Sequence, residues 1–359
     1  MSRPASMLRR AAASSNPAAH TTARLLVTRA ASTAAPGGSS DGAYSAPTST
    51  STSTSSSSTG TSASGAAGQN AGPNTSGTGR TTHFGFRDIP EEQKETLVGG
   101  VFSSVASSYD LMNDSMSLGI HRLWKDSFVS TLLPRLPPSF HSVSNSPSSH
   151  PANPKFKCLD VAGGTGDIAL RILDRAREKF SNRDVEVEIV DLNEGMLDEG
   201  RKRVAKTLYY NTPQIAFTHG NAQSLPSHIA DNSIDLYTIA FGIRNCTSLP
   251  AVLSEAYRVL KPGGRIGVLE FGKVSNPLLR EVYRQYSFQF IPIMGKILAG
   301  DADSYQYLVE SIERFPSQPE FAQLMRDAGF QTGQMREGKG GAWTDFTFGV
   351  ATMWTGVKM

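Results

Sequence analysis

The sequence predicts an α/β fold with a seven-stranded, mostly parallel sheet, helices on both faces and an N-terminal helical lid. From residue 157 onward, short apolar segments alternate with longer amphipathic ones, which is the pattern of parallel strands joined by crossover helices. A glycine-dense turn at 163–166 follows the first of these strands. Ligands of open parallel sheets bind at the carboxyl ends of the strands, and the turn is predicted to lie there.

The elements of this sheet are predicted in order along the chain. Segments typical of strands occupy 157–162, 185–190, 215–218, 234–240 and 265–270. Helical periodicity occupies 166–180, 194–206 and 248–260, and two or three further helices are predicted between 277 and 328. Pro262 and Gly263 end the third helix, because neither residue continues a helix well. Residues 343–359 favour two β segments, which we expect to complete the sheet as a hairpin.

The first 80 residues differ in composition from the rest of the chain. Residues 1–40 contain five Arg, no acidic residue and many Ala, Ser and Thr, which is typical of a mitochondrial transit peptide. An ordinary disordered tail is the alternative interpretation. Residues 41–80 are rich in Ser, Thr and Gly and predict a disordered spacer, because they cannot bury a core. The folded domain is therefore predicted at 81–359.

Two segments of this domain stand apart from the predicted sheet. Residues 101–133 mix helical apolar spacing with polar turns, and they predict a small helical lid. Residues 133–154 are dense in Pro, Ser and Asn, which predicts a disordered surface insertion. We expect the lid to face the ligand site at the edge of the sheet.

Composition argues against several classes of protein. The formal net charge of +3 comes from the leader, because residues 1–80 hold six Arg and one Asp and the remainder is near −2. No nucleic-acid-binding face is therefore predicted. The two cysteines, Cys158 and Cys246, exclude a disulfide framework, and no Cys/His cluster has metal-ligand spacing, so no metal is predicted. No apolar stretch reaches the roughly 18 residues that a spanning helix needs.

The segment LDVAGGTGD at 159–167 joins a strand to a glycine-rich turn and a helix start. Glycine tolerates positive φ and lets the backbone approach a ligand closely. The spacing matches neither the dinucleotide-binding pattern nor the P-loop pattern. Asp191 ends the next strand, where a carboxylate can accept both hydroxyls of a ribose. The glycine-rich turn and Asp191 together predict a site for S-adenosylmethionine, which has a ribose and no pyrophosphate. A turn with only a structural role is the alternative interpretation.

Six motifs together resemble one family. They are VFSSVASSYDLMNDSMSLGIHRLWK at 101–125, LDVAGGTGD at 159–167, DLNEGML at 191–197, FGIRN at 241–245, YRVLKPGGR at 257–265 and YLVESIERFP at 307–316. The chain resembles the ubiquinone and menaquinone C-methyltransferases through almost all of residues 95–359, apart from the insertion. The specific signals are YDLMNDSMSLGIHRLWK and FGIRN, because the glycine loop and KPGG occur across many methyltransferases.

The resemblance implies the Rossmann-like fold of class I S-adenosylmethionine-dependent methyltransferases. It implies methyl transfer from S-adenosylmethionine to a ring carbon of 2-methoxy-6-polyprenyl-1,4-benzoquinol in ubiquinone biosynthesis. The family pattern carries cofactor contacts over to Gly163, Thr165, Gly166, Asp191 and the pair Asn221 and Ala222, where an amide could face the adenine. One position departs from the pattern, because Ala240 stands where bacterial relatives have Ser, and a hydroxyl contact is lost there.

The resemblance also implies a place and partners for the protein. It implies a mitochondrial protein held peripherally on the matrix side of the inner membrane, in a multi-subunit ubiquinone-biosynthesis complex, with a homodimer as a further option. The polyprenyl tail of the substrate needs an apolar channel. Residues 278–298 could line such a channel or lie at a membrane surface, or they could be plain core.

Methylation of an aromatic carbon needs electron density on that carbon, which a quinol supplies as a ring hydroxyl loses its proton. A fixed cation beside the oxygen favours the phenolate, and a base or a positioned water takes the proton. Arg244 is the first candidate for the cation, because it follows strand 234–240 at the carboxyl edge; a structural ion pair is the alternative. Asn245 could orient the ring oxygen. Tyr109 could hydrogen-bond a quinol oxygen, or it could be a half-buried core residue.

Two other residue types leave alternatives open. His121 could relay a proton, but a lone histidine is more often structural. Cys246 has no base that the sequence places beside it, and this chemistry needs no nucleophile. The rival functions are an O- or N-methyltransferase acting on another small aromatic molecule, and a cofactor-binding scaffold within a biosynthetic complex.

Overall fold

The computed structural model describes residues 81–105, 113–114, 117, 119–136, 155–299, 302–333 and 341–359. The predicted transit peptide, the predicted spacer and Tyr109 lie outside the described residues, as do residues 137–154 of the predicted insertion. The predictions for these segments therefore stay predictions.

The strands of the described residues form a small hairpin and one large sheet. The hairpin comprises β1 (Thr81–Phe84) and β2 (Arg87–Pro90). The large sheet comprises β3 (Phe156–Val161), β4 (Val185–Asp191), β5 (Ile215–His219), β6 (Ile234–Ala240), β7 (Leu260–Phe271), β8 (Phe330–Thr332), β9 (Trp343–Phe346) and β10 (Ala351–Lys358). Its order is β5-β4-β3-β6-β7-β10-β8, with β9 paired to β10. Strands β3 to β7 run parallel to their neighbours, whereas β10 runs antiparallel to β7, β8 and β9.

The predicted fold class is confirmed, but in the described part of the chain the sheet has eight strands rather than seven. The additional strand is β8, whose three residues are too few to show a period of two. The predicted C-terminal hairpin is confirmed by the antiparallel pairing of β9 with β10. Strand β7 begins at Leu260 rather than at residue 265, because a register shift against β6 accommodates the Pro-Gly-Gly turn.

The helices follow the predicted rhythm. They are α1 (Glu91–Val105), α2 (His121–Leu132), α3 (Asp167–Phe180), α4 (Glu194–Val204), α5 (Leu249–Val259), α6 (Pro277–Ala299), α7 (Ala302–Arg314) and α8 (Gln318–Asp327). Helices α3, α4 and α5 correspond to the three predicted crossovers, and three helices lie between 277 and 328 as expected. Helices α1 and α2 belong to the N-terminal lid region.

Side chains alternate between two apolar layers along the central strands. Leu159 and Val161 of β3 belong to the layer that includes α5 and α8. Cys158 of the same strand belongs to the layer that includes α2 and α3. Both faces of the sheet are thus covered by helices, which explains why these strands are nearly continuous runs of apolar residues.

Candidate active site

A cavity of about 210 Å³ opens at the carboxyl ends of β3, β4 and β6. We call it the strand-end cavity. Residues that follow these strands line it, together with Glu95, Val98, Gly99 and Phe102 of α1. The predicted meeting of the glycine turn with the lid region therefore occurs at this edge of the sheet. Glu95, Val98 and Gly99 precede the first quoted motif and were not predicted, and Phe102 was predicted only as part of the lid.

The glycine turn has a backbone that few residues can adopt. Gly164 and Gly166 have φ of +50° and +77°, in the left-handed region that favours glycine. A Cβ on Gly163 would lie 2.8 Å from Asp160 Oδ2 and 2.9 Å from Ile189 Cγ2, so the turn lies directly on the strands beneath it. Gly163 lines the cavity. Gly166 does not line it; it forms the N-cap of α3, and its contribution is to shape the turn.

Asp191 lines the cavity at the end of β4, where the sequence placed it. Its Oδ2 accepts the Gly164 N–H at 2.9 Å, and its Oδ1 accepts the Asn193 N–H at 2.8 Å. Burial raises the pKa of this carboxyl, and the two backbone donors act in the opposite direction. Each oxygen keeps a second lone pair for a ligand hydroxyl. Asp191 can therefore bind both hydroxyls of a ribose while its orientation is fixed by the backbone.

Asn221 and Ala222 also line the strand-end cavity. The Asn221 side chain donates to Glu95 Oε1 at 2.7 Å, and Gln223 Nε2 donates to the same oxygen at 3.0 Å. Glu95 thus links α1 to the loop that follows β5. This link fixes the wall against which an adenine would lie.

Asp160 is a buried carboxylate beneath the glycine turn that sequence reasoning did not single out. Its Oδ1 accepts the Thr238 hydroxyl at 2.7 Å, while its Oδ2 has no hydrogen-bond partner in the described residues. Burial raises the pKa of Asp160 to about 7. Asp160 and Thr165 both line the strand-end cavity. Water, an ion or a ligand usually satisfies a buried oxygen of this kind, and the α-ammonium group of an amino acid is a donor that suits a carboxylate.

These features together fit S-adenosylmethionine. A ribose matches Asp191, an adenine matches the wall at Asn221 and Ala222, and an amino-acid end matches the orphaned oxygen of Asp160 beside a turn that a Cβ would fill. No cluster of cations suited to a pyrophosphate lines this cavity in the described residues. The one lining lysine, Lys125, donates to Asp167 Oδ2 at 2.8 Å. Burial alone would raise the pKa of Asp167, but Lys125 and Arg171 lower it to about 2.

Arg244 does not occupy the position that the sequence analysis gave it. It is absent from the lining of the strand-end cavity and is buried, with Nη1 donating to Glu270 Oε1 at 2.8 Å and to the Phe241 carbonyl at 2.7 Å. The 3₁₀ turn Ile243–Asn245 places consecutive side chains on different sides, so Arg244 points inward and Asn245 lines the cavity. The expectation that Arg244 is a free cation beside the donor is therefore corrected. The charge of Arg244 is already neutralised by Glu270.

Asn245 lies where the prediction placed it. Its Oδ1 accepts the Tyr307 hydroxyl at 3.1 Å, and its buried Nδ2 has no partner in the described residues. Since the carbonyl oxygen is held by Tyr307, the amide nitrogen is oriented as a hydrogen-bond donor at the cavity wall. This geometry suits a ring oxygen or a water. Tyr307 belongs to the motif at 307–316, and its contact with Asn245 was not foreseen.

A second cavity, of about 180 Å³, is lined mainly by aromatic and aliphatic side chains, and we call it the aromatic cavity. Its lining includes Trp124, Phe271, Tyr283, Tyr286 and Phe241, and Phe241 also lines the strand-end cavity. The two cavities therefore have Phe241 in common. Residues of the segment 278–298 differ in their surroundings: Tyr283, Tyr286 and Ile291 line the aromatic cavity, whereas Leu278 and Ile293 are exposed. The channel, the membrane surface and the plain core stay alternative predictions for this segment.

Cys246 lines the strand-end cavity, but its thiol is not a nucleophile. Burial raises the pKa of the Cys246 thiol to about 12, with only partial compensation from Lys94. A thiolate is the reactive form of cysteine, so this residue is inert at neutral pH.

No group of three or more His, Cys, Asp or Glu side chains in the described residues could hold a metal ion. No helix among them is both long and apolar enough to cross a bilayer.

Comparison with known proteins places the chain in a family. A sequence model of the ubiE/COQ5 methyltransferase family matches residues 90–358. The chain is 52% identical to "2-methoxy-6-polyprenyl-1,4-benzoquinol methylase, mitochondrial" of Schizosaccharomyces pombe, over 80% of this chain and 87% of that protein. The protein of the same name from Dictyostelium discoideum is 45% identical, over 80% and 90%. "Ubiquinone/menaquinone biosynthesis C-methyltransferase UbiE" of Dinoroseobacter shibae is 47% identical, over 79% and 100%. The chain therefore belongs to the ubiE/COQ5 methyltransferase family.

Proposed function

We propose that the chain methylates a ring carbon of 2-methoxy-6-polyprenyl-1,4-benzoquinol, with S-adenosylmethionine as the donor, in ubiquinone biosynthesis. The observation that carries this proposal is that two unlike cavities have Phe241 in common. One has the carboxylates and amides that suit the donor, and the other has the aromatic walls that suit a quinol ring. The names of the relatives, which include a benzoquinol methylase, agree with this choice of acceptor.

The residues of the strand-end cavity hold and orient the donor. Asp191 binds the ribose, the loop at Asn221 and Ala222 faces the adenine, and Asp160 with Thr165 receives the amino-acid end. When bound, this donor supplies an electrophilic methyl group on a sulfonium centre. Helix α1 contributes Phe102 and Val98 to the wall, which keeps water from the reacting atoms.

The residues of the aromatic cavity align the acceptor. A quinol ring packs against Phe241 and Tyr286, and the Nδ2 donor of Asn245 hydrogen-bonds a ring oxygen. Alignment of the ring carbon with the donor is the main requirement of an in-line transfer.

Arg244 acts in this scheme as a positioning residue. Its Nη1 holds the carbonyl of Phe241, whose φ of +55° is strained for a non-glycine residue. The Phe241 N–H donates to the Leu269 carbonyl at 2.7 Å. Arg244 and β7 thereby fix the ring that separates donor from acceptor. The predicted role of Arg244 as the cation at the quinol oxygen is replaced by this one.

The direct test is methyl transfer from labelled S-adenosylmethionine to a short-tailed quinol precursor, with the full chain kept under reducing conditions. We expect label in a carbon-bound methyl group of the ring. Label on oxygen or nitrogen would favour the rival methyltransferase. Donor binding without transfer to any quinol would favour the cofactor-binding scaffold.

We propose in addition that the protein works in mitochondria, peripherally on the matrix side of the inner membrane, after import directed by residues 1–40. Helix α6 exposes Leu278, Val282 and Ile293, and its charged residues are three basic and one acidic. Such a face suits an anionic bilayer surface. Flotation with anionic vesicles should be weakened by Val282→Ser and unaffected by Leu208→Ser, which changes an equally exposed residue elsewhere.

Membership of a ubiquinone-biosynthesis complex and a homodimer are also proposals. Both follow from the family, and neither is needed for the cavities described above. Co-purification of the chain with other quinone-biosynthesis enzymes tests the first. Light scattering of the purified chain tests the second, and a monomer mass would remove it.

A further inference from the structure

Ring methylation of a quinol needs a group that accepts the hydroxyl proton, and neither Arg244 nor Asn245 can do so. Arginine stays protonated and is paired with Glu270, and the Asn245 amide nitrogen is a donor. The aromatic cavity holds one better candidate in the described residues. His121, at the first turn of α2, lines this cavity and is buried.

The imidazole of His121 is held by a carboxylate. Its Nε2 lies 2.8 Å from Asp114 Oδ1, and Asp114 is also bound by Arg122 through Nε at 2.9 Å and Nη2 at 2.6 Å. The hydrogen bonds from Arg122 and then from His121 hold the pKa of Asp114 far below its ordinary value, so Asp114 is ionised. An ionised carboxylate only accepts hydrogen bonds, and Nε2 must therefore carry the hydrogen.

The tautomer leaves a lone pair on Nδ1. This atom is buried and has no hydrogen-bond partner in the described residues. Buried nitrogens of this kind are rarely left unsatisfied in folded proteins, which points to a ligand as the missing partner. Since His121 lines the aromatic cavity, that ligand is the molecule bound there.

Burial favours the neutral form of His121. Burial lowers the pKa of His121, Lys125 lowers it further, and Asp114 and Asp167 raise it. Lys125 is itself bound to Asp167, so these two groups largely offset each other. A neutral imidazole beside an ionised carboxylate can take a proton and hold the resulting cation.

We propose that His121, oriented by Asp114, accepts the ring-hydroxyl proton of the quinol during methyl transfer, with Asp114 as its positioning residue. The inference rests on the proposed quinol methylation and adds the proton acceptor to it. Phenol side chains in the same cavity are poorer acceptors at neutral pH, because they are already protonated; burial raises the pKa of Tyr283 to about 12.

The hydroxyl proton moves to Nδ1, and the O–H bonding pair stays with the oxygen and raises electron density at the ring carbon. That carbon forms the new C–C bond to the methyl group, and the C–S bonding pair stays on the sulfur of the former sulfonium. The ring carbon then loses its hydrogen as a proton, while protonated His121 returns a proton to the oxygen. One proton is released for each methyl group transferred.

The first test is the pH profile of kcat for the full chain. Wild type should show an acid limb at the pKa of His121, because the protonated imidazole cannot accept. His121→Asn should lower kcat by about 100-fold or more, the range for a lost general base, and remove this limb. Asp114→Asn should move the limb to lower pH, since the carboxylate raises the His121 pKa. A His121→Asn enzyme with wild-type kcat and an unchanged limb would overturn the proposal.

The second test needs no turnover. A nitrophenol with an apolar tail, bound without donor, should show phenolate absorbance at lower pH in wild type than in His121→Asn. Identical titrations of the two proteins would also overturn the proposal, even where the variant is less stable. His228→Asn is the matched control, because His228 lies 2.7 Å from Glu188 but lines neither cavity; it should behave as wild type. Absence of quinol methylation by wild type would refute the proposed function and leave this titration to be judged separately.

Discussion

Replacing Arg244 by Met tests whether this residue positions Phe241 or serves as a cation for the substrate. The side chains of Arg244 and Glu270 are 3% and 0% exposed, and their charged atoms lie 2.8 Å apart. Glu270 Oε1 also accepts the Phe271 N–H at 2.8 Å, but no other cation is bonded to it in the described residues. The substitution therefore leaves a buried carboxylate without its counter-charge.

The expected loss follows from that burial. Breaking a buried ion pair by removing one partner lowers the free energy of unfolding by about 3–5 kcal/mol. Burial already raises the pKa of Glu270, and the loss of Arg244 would raise it further. A carboxyl group whose pKa is higher in the folded state than in the unfolded state holds its proton more tightly when the protein is folded. The variant should therefore lose stability as the pH rises above about 4.5, the ordinary pKa of a glutamate. The defect should be smaller at pH 5 than at pH 8.

Urea unfolding at these two pH values measures the effect. Arg244→Met combined with Glu270→Gln should recover part of the lost stability, because no charge is then left unpaired. Arg201→Met is the control, since Arg201 pairs with Glu194 at an exposed site, and we expect a loss of about 1 kcal/mol or less. The positioning role would be refuted by an Arg244→Met protein that is as stable as wild type and yet has lost kcat.

Three further predictions concern the strand-end cavity. Gly163→Ala should abolish donor binding measured by calorimetry, because its Cβ would lie 2.8 Å from Asp160 Oδ2; Gly100→Ala, with open space around its Cβ, should bind normally. Donor affinity should rise with pH through about 7, as Asp160 ionises and attracts the donor's ammonium group, and Asp160→Asn should remove this dependence. Asp191→Ala should weaken donor binding by at least about tenfold, the loss of one to two hydrogen bonds to a charged group; an unchanged Kd would exclude the ribose contact.

The parts of the fold that could be predicted are those set by local pattern. The apolar residues of crossover helices and of buried strands recur with different periods, and glycine-rich turns mark the connections between these elements. Asp191 ends β4 and Asn245 comes shortly after β6, and both line the strand-end cavity because parallel strands bring their carboxyl ends to one edge. Strand β8 was missed because three residues form a strand only through pairing with β10.

The parts that could not be predicted depend on which way a side chain points. Arg244 and Asn245 are neighbours in the sequence, yet one is buried against Glu270 and the other lines the cavity. Nothing in FGIRN distinguishes these directions, because a single 3₁₀ turn sets them. His121 shows the converse: the sequence left its role open between a proton relay and a structural residue, and the structure gives it a carboxylate on one nitrogen and leaves the other nitrogen unpartnered in the described residues.

Helix α2 explains how one short segment can serve both cavities. Its residues His121 and Trp124 line the aromatic cavity, whereas Lys125 lines the strand-end cavity, so the boundary between the two sites runs along this helix to Phe241. Lys125 lies 5.9 Å from the centre of the Phe241 ring, and the ring of Trp124 lies 6.4 Å from it. A cation and an indole from the same helix thus both lie close to this ring. A substitution at Trp124 or Lys125 of α2 should therefore weaken the binding of donor and acceptor together. A substitution in the glycine turn should weaken the binding of the donor alone.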